Sequence, residues 1–176
     1  GQAERAPADP AHTAAVLADA VGRRMDALPW TDATRQLQAR AALLRRLDPD
    51  TPDLSDPGLA ATVAEWLAPH LLGASRLADV SGLDLHALLR TLLGWEHAAR
   101  LDRDLPTHLP LPGGRAAVDY LQPVPLASAR AQAFYGLAET PRLAGGRGPL
   151  QLALLSPAGR PIAITGDLAG FWRGAW

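Results

Sequence analysis

The sequence contains no cysteine and no lysine, and only one of its 176 residues is methionine. Without cysteine, disulfide bonds and thiolate metal sites are excluded. No segment approaches the roughly 18–20 uninterrupted apolar residues of a membrane span; the most apolar stretch, residues 148–159, is broken by proline and glycine. The first ten residues lack the basic and apolar regions of a signal peptide. We therefore expect a cytoplasmic protein with no membrane partner and, since the chain starts with glycine, a piece of a longer polypeptide.

The charges are unevenly distributed, although the net charge is only −1. Residues 1–104 carry 11 arginines and 15 acidic residues, a net charge of −4, whereas residues 105–176 carry 6 arginines and 3 acidic residues, a net charge of +3. The planar guanidinium suits phosphate binding, but a GC-rich coding bias explains the absence of lysine better than a ligand does. A net charge of +3 predicts contact with only a few phosphates.

Residues 10–104 have the apolar periodicity of helices, with apolar side chains every three or four positions. Asp9–Pro10 and Asp56–Pro57 each combine an N-cap with proline at the first helical position. The pattern predicts a first helix up to Leu28, a second after Trp30, and a third from Asp56 that Pro69 ends or bends. A fourth helix follows Asp84 and stops at Gly94, and a fifth covers residues 95–104. We predict a bundle-like helical subdomain at 1–104, with residues 1–9 disordered.

After Pro106, prolines and glycines become frequent and the apolar runs become short. These runs predict strands at residues 107–111, 115–121, 124–127, 150–155 and 162–165. Residues 128–135 have helical spacing, and residues 167–172 predict a final helical turn. Five strands with a helix between the third and fourth are the order of an OB-fold. The predicted fold is therefore α+β, with a five-stranded OB-like barrel at residues 105–176 after the helical part.

No group of residues has the spacing of a catalytic or metal site. The five histidines are scattered, without a carboxylate at ligand spacing, and are expected in surface or capping roles. The acidic run Asp48, Asp50, Asp53 and Asp56 lacks the glycine and distal glutamate of a calcium loop, which favours a linker with helix caps. The run AGGRG at 144–148 has no following Lys-Ser/Thr and is not a Walker loop. We predict no catalytic, metal-binding or cofactor-binding residue on this chain.

Five tryptophans lie at positions 30, 66, 95, 172 and 176. Each is on an apolar helix face or at a helix boundary, so we expect most of them in the core. Trp172 stands next to Phe171 and Arg173, and an alternative role for these aromatic rings is a stacking platform for nucleic-acid bases.

The block GLAETPRLAGGRGPLQLALLSPAGRPIAITGDLAGFWRG at 136–174 resembles the C-terminal region of bacterial HrpB-type ATP-dependent RNA helicases, of the DEAH/DExH group. Shorter pieces agree in the same order: ALPW (27–30), ARAALLRRL (39–47), PDLSD (52–56), EWLAPHL (65–71), PTHLPLPGG (106–114) and VDY (118–120). The resemblance covers the chain from about residue 20 to the end, and its most specific part is the block at 136–174.

The resemblance implies a parent protein that hydrolyses ATP with Mg²⁺ in two upstream RecA-like domains and moves on or unwinds RNA. The Walker A loop, DEAH box and arginine fingers of that motor do not occur in this sequence. In related helicases, auxiliary helical and OB modules close the RNA channel over the motor. The implied partners are RNA, in single-stranded form, and the RecA-like domains of the same polypeptide. The family usually continues beyond FWRG into a basic tail, whereas this chain ends at Trp176.

Two hypotheses follow. The first is an RNA-contacting accessory module that is non-catalytic on its own and that closes or guides the RNA path of the motor. Its predicted contact residues are Arg115, Arg142, Arg147, Arg160, Arg173 and Trp172. The second is a protein-interaction or inter-domain docking module without direct RNA binding, supported by the acidic excess of residues 1–104. An independent enzyme would need a polar pocket that nothing in the sequence supplies.

Overall fold

The computed structural model describes residues 9–174 and divides the chain into two compact units. One unit contains residues 1–38 and 52–95, and the other contains residues 39–51 and 96–176. This division groups residues 39–51 and 96–104 with the C-terminal part, whereas the sequence analysis assigned them to the helical subdomain. The predicted disorder of residues 1–9 falls on positions 1–8, which lie outside the described residues, while Asp9 is described and caps a helix.

Helix α1 (Pro10–Arg23) begins as predicted, with the Asp9 carboxylate accepting a hydrogen bond from the Ala11 amide at 3.1 Å. The prediction that it continues to Leu28 is wrong. Arg24 leaves the helical conformation at φ −140°, and Met25–Ala27 forms a separate 3₁₀ turn. The Met25 carbonyl accepts from the Leu28 amide at 3.2 Å and from the Trp30 indole N–H at 2.8 Å, and these two bonds hold the turn.

Helices α3 (Asp56–Ala61) and α4 (Val63–Trp66) replace the single third helix that the sequence predicts. The predicted Asp56 cap is wrong: Asp56 is the first helical residue, and the Ser55 hydroxyl caps α3 by accepting from the Gly58 amide at 3.1 Å, because Ser55 has the extended backbone of a cap residue. They separate at Thr62, whose hydroxyl donates to the Gly58 carbonyl at 3.2 Å, a bond that competes with helical pairing. A 3₁₀ turn at Ala68–Leu71 contains Pro69, so the predicted end of the helix before this proline is confirmed. Helix α1 packs against α3, α4 and this turn.

Helix α5 (Leu85–Leu93) has its predicted ends: Asp84 caps it, and Gly94 at φ +83° terminates it. A 3₁₀ helix at Leu77–Gly82 precedes it. The core of this first unit consists of apolar side chains at the predicted helical spacing. Those at most 1% exposed include Ala14, Ala18, Val21, Leu37, Leu59, Leu67, Leu71, Val80, Leu89 and Leu93.

Two further helices contribute to the second unit. Helix α2 (Asp32–Leu47) belongs to it from Ala39 onward, and α6 (Trp95–Asp104) belongs to it from Glu96 onward. None of the helices within residues 9–174 is long and apolar enough to cross a lipid bilayer.

The second unit contains a sheet of five strands, as predicted, in the order β1-β2-β3-β4-β5. The strands are β1 (His108–Leu111), β2 (Gly114–Asp119), β3 (Leu126–Arg130), β4 (Gln151–Leu155) and β5 (Pro161–Thr165). All neighbours are antiparallel except β3 and β4, which are parallel. Strand β4 carries three consecutive buried residues, Leu152, Ala153 and Leu154, so both faces of the sheet are covered there.

The described residues do not close this sheet into the predicted OB-like barrel. Strand β1 has four residues, all of them paired with β2, and β5 pairs with β4. A closed barrel requires its first and last strands to find a second neighbour. The predicted short helix between the third and fourth strands is present as a 3₁₀ turn at Ala131–Phe134, and the predicted final helical turn is α7 (Leu168–Gly174). The α+β class is confirmed, whereas the sheet is open.

The junction between α6 and β1 is held by two buried polar side chains. Arg40 on α2 is 3% exposed and donates from Nε to the Leu105 carbonyl at 2.7 Å. Its Nη2 also pairs with the Asp102 carboxylate at 3.3 Å. The Tyr120 hydroxyl donates to the Pro106 carbonyl at 2.6 Å. Burial raises the pKa of Tyr120 above its ordinary value, against a smaller opposing effect of the Arg40 charge, so this hydroxyl remains protonated and a donor.

Replacing Arg40 by methionine is expected to lower the free energy of unfolding by about 2 kcal/mol, because the buried Leu105 carbonyl loses its donor. Urea unfolding of the 176-residue chain measures this change. Arg23→Met is the matched control, since it removes an exposed pair with Asp19 and is expected to cost less than about 0.5 kcal/mol. Equal effects of the two substitutions would contradict a special role of Arg40.

Candidate nucleic-acid interface

The candidate interface is built by the segment 135–148 and helix α7. Phe134, which is fully buried, fixes the start of this segment, and its carbonyl accepts from the Leu137 amide at 3.0 Å. Gly136 then turns the chain at φ +90°, a conformation that glycine adopts without the strain other residues pay. This turn directs the segment away from the end of β3 and toward α7.

Helix α7 is capped by side chains from both sides of the interface. The Asp167 carboxylate accepts from the Gly170 amide at 2.9 Å, and the Thr140 hydroxyl accepts from the Leu168 amide at 2.9 Å. The second bond joins the 135–148 segment to the first turn of α7. Thr165 adds a bond of 3.0 Å from the Asp167 amide to its hydroxyl. These three side chains therefore accept hydrogen bonds from backbone amides at or next to the start of α7.

The tip of the segment is a tight turn with three successive positive φ angles, at Ala144 (49°), Gly145 (65°) and Gly146 (95°). The Leu143 carbonyl accepts from the amides of Gly146 at 2.9 Å and Gly148 at 3.2 Å. Leu143 is fully buried and anchors the turn. A Cβ on Gly148 would lie 3.1 Å from the Leu143 Cβ, so the close approach of the two arms of the turn favours glycine there.

A cationic groove of about 760 Å³ lies along this turn. Its charged lining residues are Arg142, Arg147 and Glu139, and the small residues around them leave the groove open. Both arginines are exposed. The other lining residues are Ala138, Thr140, Pro141, Gly145, Gly146, Gly148, Leu150, Gly166 and Ala169. Two positive charges against one negative charge give the groove a net affinity for anions.

One groove arginine, Arg147, also acts on an acidic side chain outside the groove lining, Asp104. The pKa of Asp104 is lowered, mainly by its hydrogen bond from Arg103 and to a smaller extent by the charges of Arg103, Arg147 and Arg100. Among the described residues, no ion pair within 4.0 Å engages Arg142 or Arg147. Both guanidinium groups are exposed, and Arg147 interacts with the Asp104 carboxylate only at longer range.

An aromatic cleft of about 630 Å³ adjoins the groove and shares Ala138 with it. It is lined by Tyr135, Gly136, Leu137, Ala138 and Trp172. The ring centroids of Tyr135 and Trp172 are 6.0 Å apart, with an interplanar angle of 54°. The Trp172 indole N–H donates to the Leu137 carbonyl at 3.2 Å, and Phe171 contacts the indole edge-on at 5.3 Å.

The structure brings together three of the six residues proposed from the sequence. Arg142 and Arg147 line the groove, and Trp172 lines the cleft. Arg115 on β2, Arg160 in the turn before β5 and Arg173 on α7 are exposed and line neither of them. Arg160 is held there by a backbone bond of 2.8 Å from the Ser156 amide to its carbonyl.

Tyr135 and Thr140 are functional candidates that the sequence analysis did not identify. Tyr135 is 60% exposed beside the cleft, and Thr140 both lines the groove and caps α7. The sequence pattern that could have indicated Tyr135 is an apolar run that ends at this residue, directly before Gly136. Such a position favours an exposed aromatic residue before a turn. No local pattern identifies Thr140, because its partner lies 28 positions away.

The tryptophans do not all follow the predicted core role. Trp66 is buried and donates to the Leu59 carbonyl at 2.9 Å, as expected for a core residue. Trp30 is half-buried beneath the Arg35 guanidinium, 3.6 Å from its ring centroid. The core prediction is wrong for Trp95, which is 80% exposed at the first position of α6, where few neighbours surround a side chain. Trp176 lies outside the described residues.

The acidic run forms local bonds in both units. Asp48 pairs with Arg100, and Asp56 accepts from Arg35 at 3.0 Å, while Asp48 and Asp53 accept from backbone amides two residues later. Within residues 9–174, no group of three or more histidine or acidic side chains is placed to hold a metal ion.

Substituting Gly146 by alanine is expected to lower the free energy of unfolding by about 1–2 kcal/mol, because an L-residue is strained at this positive φ. Thermal or urea unfolding measures the loss. Gly73→Ala is the control, since a Cβ there meets no atom within 4 Å and no positive φ is involved. An unchanged stability of Gly146→Ala would show that the turn adopts another conformation.

Comparison with known proteins identifies the family. The family model described as "ATP-dependent helicase C-terminal" (HrpB_C) matches residues 66–176. The ATP-dependent RNA helicase HrpB of Escherichia coli (strain K12) is 42% identical over 156 residues, which cover 86% of this chain and 19% of that protein.

Two crystal structures of the Escherichia coli protein are similar in fold. The structure described as a DExH-box NTPase superposes with a TM-score of 0.88 at 36% identity, covering 99% of this chain and 22% of that one. The structure described as a DEAH/RHA helicase has a TM-score of 0.77 at 36% identity, covering 90% and 21%. The chain thus spans about a fifth of the length of these relatives. It belongs to the HrpB family of ATP-dependent helicases and corresponds to their C-terminal module.

Proposed function

We propose that this chain is the RNA-contacting accessory module of its parent helicase, with the cationic groove as its phosphate-binding surface. The observation that carries the proposal is the exposed position of Arg142 and Arg147 in one open groove, where neither forms an ion pair within 4.0 Å with a residue between positions 9 and 174. Single-stranded RNA presents a line of phosphates that such a pair of arginines contacts by charge-assisted hydrogen bonds. The module closes or guides the RNA path of the upstream motor domains.

The composition of the groove supports weak, sequence-independent contact. Its arginines bind phosphates without reading bases, and Glu139 offsets part of their charge. Phosphates are therefore expected at the end of the groove formed by the turn, next to the two guanidinium groups. Arg115, Arg160 and Arg173 are proposed as outer contacts, which extend the positive charge without forming a shared site.

We place ATP binding and hydrolysis, with Mg²⁺, in RecA-like domains of the parent polypeptide. The sequence of this chain contains neither a Walker A loop nor a DEAH box. The tight turn at 144–148 donates its Gly146, Arg147 and Gly148 amides to its own carbonyls, which leaves these donors unavailable to nucleotide phosphates. The contribution of the module is therefore to hold RNA, and the contribution of the motor domains is to move it.

The double substitution Arg142→Ala with Arg147→Ala is expected to weaken binding of single-stranded RNA by about tenfold, alike for different sequences. Because two phosphate contacts are removed, the slope of log affinity against log salt should become shallower by about 1.4. Filter-binding titrations of the 176-residue chain across a series of low salt concentrations measure both quantities.

The matched control is Arg24→Ala with Arg130→Ala, which removes the same charge from two exposed arginines outside both the groove and the cleft. We expect this control to retain nearly all of the affinity and the salt slope. If both double variants bind RNA equally, net charge rather than the groove determines binding, and the assignment of Arg142 and Arg147 is wrong.

The alternative is a docking module that binds the RecA-like domains without touching RNA. Its specific support is Trp95, a large apolar side chain left 80% exposed in an acidic part of the chain. This alternative predicts no binding of single-stranded RNA at low salt. It also predicts that Trp95→Ala weakens association with a separately produced motor fragment, whereas Arg142→Ala does not.

A further inference from the structure

We propose that the aromatic cleft between Tyr135 and Trp172 binds an unpaired nucleobase of RNA. The inference rests on the proposed function, because the base belongs to the strand whose phosphates lie in the cationic groove. The inference adds a second subsite beside the phosphate contacts, and this subsite binds an aromatic base instead of a phosphate. The subsite distinguishes single-stranded RNA, with its bases accessible, from a bare polyanion.

Trp172 is held in one orientation. Its indole N–H donates to the Leu137 carbonyl at 3.2 Å, and Phe171 packs edge-on against it at 5.3 Å. The only hydrogen-bond donor of the side chain is thus satisfied within the protein. What the ring offers to a ligand is therefore its apolar surface, and the fixed orientation lowers the entropy cost of stacking.

Tyr135 provides the accessible face of the cleft. It is 60% exposed, with its ring 6.0 Å from that of Trp172 at an angle of 54°. The tilt leaves no parallel slot between the two rings, so a base does not insert as a sandwich. We infer that it stacks on the open face of Tyr135 while its edge meets the indole, as aromatic rings prefer offset and edge-to-face contacts.

The size and floor of the cleft suit a flat ligand. Its volume of about 630 Å³ lies within the range of ~300–1,000 Å³ that is usual for small-molecule sites. Its floor is formed by Gly136, Leu137 and Ala138, two of which carry little or no side chain. A planar ring thus reaches the two aromatic walls without displacing a bulky group.

The neighbouring charge identifies the ligand as a nucleotide rather than an apolar protein side chain. Ala138 lines both the cleft and the groove that contains Arg142 and Arg147. A ligand that fills both must carry an apolar ring and negative charge within one short stretch of chain. Single-stranded RNA meets this requirement at every nucleotide, and stacking tolerates any base because every base has a π-face.

The test compares two probes that have the same number of phosphates: a uridylate dodecamer and an abasic ribose-phosphate dodecamer. The 176-residue chain is titrated at low salt with each labelled probe, and fluorescence anisotropy gives the two affinities. We expect the unmodified chain to bind the uridylate about tenfold tighter than the abasic strand. Tyr135→Ala is expected to lower the affinity for the uridylate to that for the abasic strand, because the stacking ring is lost. Tyr135→Phe is expected to retain the difference.

Two further variants separate the cleft from general effects. Trp95→Ala, which removes another exposed aromatic ring, should leave the ratio of affinities unchanged. Arg142→Ala with Arg147→Ala should weaken both probes equally and so also preserve the ratio. Tyr135→Leu keeps an apolar side chain of similar bulk without a ring and should reduce the ratio of affinities to about one. This variant provides a second test if the alanine variant folds poorly.

Three outcomes would overturn the nucleobase site. Equal affinities for both probes in the unmodified chain would refute the site while leaving the phosphate groove intact. A ratio preserved in Tyr135→Ala and Tyr135→Leu would also refute it, because the preference for bases would then arise outside the cleft. No binding of either probe would remove the proposed function together with the base site.

Discussion

The second unit depends on one constraint: the consecutive carbonyls of Leu105 and Pro106 must each accept a hydrogen bond from a side chain. The chain changes there from helix to strand, so neither carbonyl has a regular partner, and an unpaired buried carbonyl costs about 1–3 kcal/mol. Arg40 and Tyr120 supply the two donors from distant positions in the sequence. Helix α2, the end of α6 and the β1–β2 hairpin are thereby joined, and the sheet that leads to the candidate interface starts from this point.

The candidate interface uses its small residues and its arginines for different purposes. Gly136, Gly145 and Gly146 give the chain its sharp turns, and Thr140 and Asp167 hold α7 against them. Backbone bonds and caps hold this frame, and the exposed side chains of Arg142 and Arg147 line the groove beside it. A chain with a net charge of −1 thus has a groove whose charged lining is two arginines and one glutamate.

Most helix ends and all five strands were predictable because local chemistry determines them. Asp9 and Asp84 are N-caps, Gly94 adopts a positive φ, and the alternation of short apolar runs with Gly/Pro turns marks the strands. The two main failures have different causes. The apolar spacing of Met25 and Leu28 continues that of α1, but Trp30 pairs with the Met25 carbonyl and holds a 3₁₀ turn there. The order of the strands suggested a barrel, whereas closure depends on strand length and pairing, which order does not encode.

The family, the α+β class and the absence of a Walker loop follow directly from sequence motifs and patterns, since each of these depends on residues that are close together in the chain. The sequence also shows that Arg142 and Arg147 flank a glycine-rich turn. No sequence pattern indicates that these arginines line one groove, that Trp172 lies beside Tyr135, or that Trp95 is exposed; these facts come from the three-dimensional packing. The physical reason is that burial and side-chain proximity follow from packing between segments up to tens of positions apart, whereas turns and caps are satisfied within a few residues.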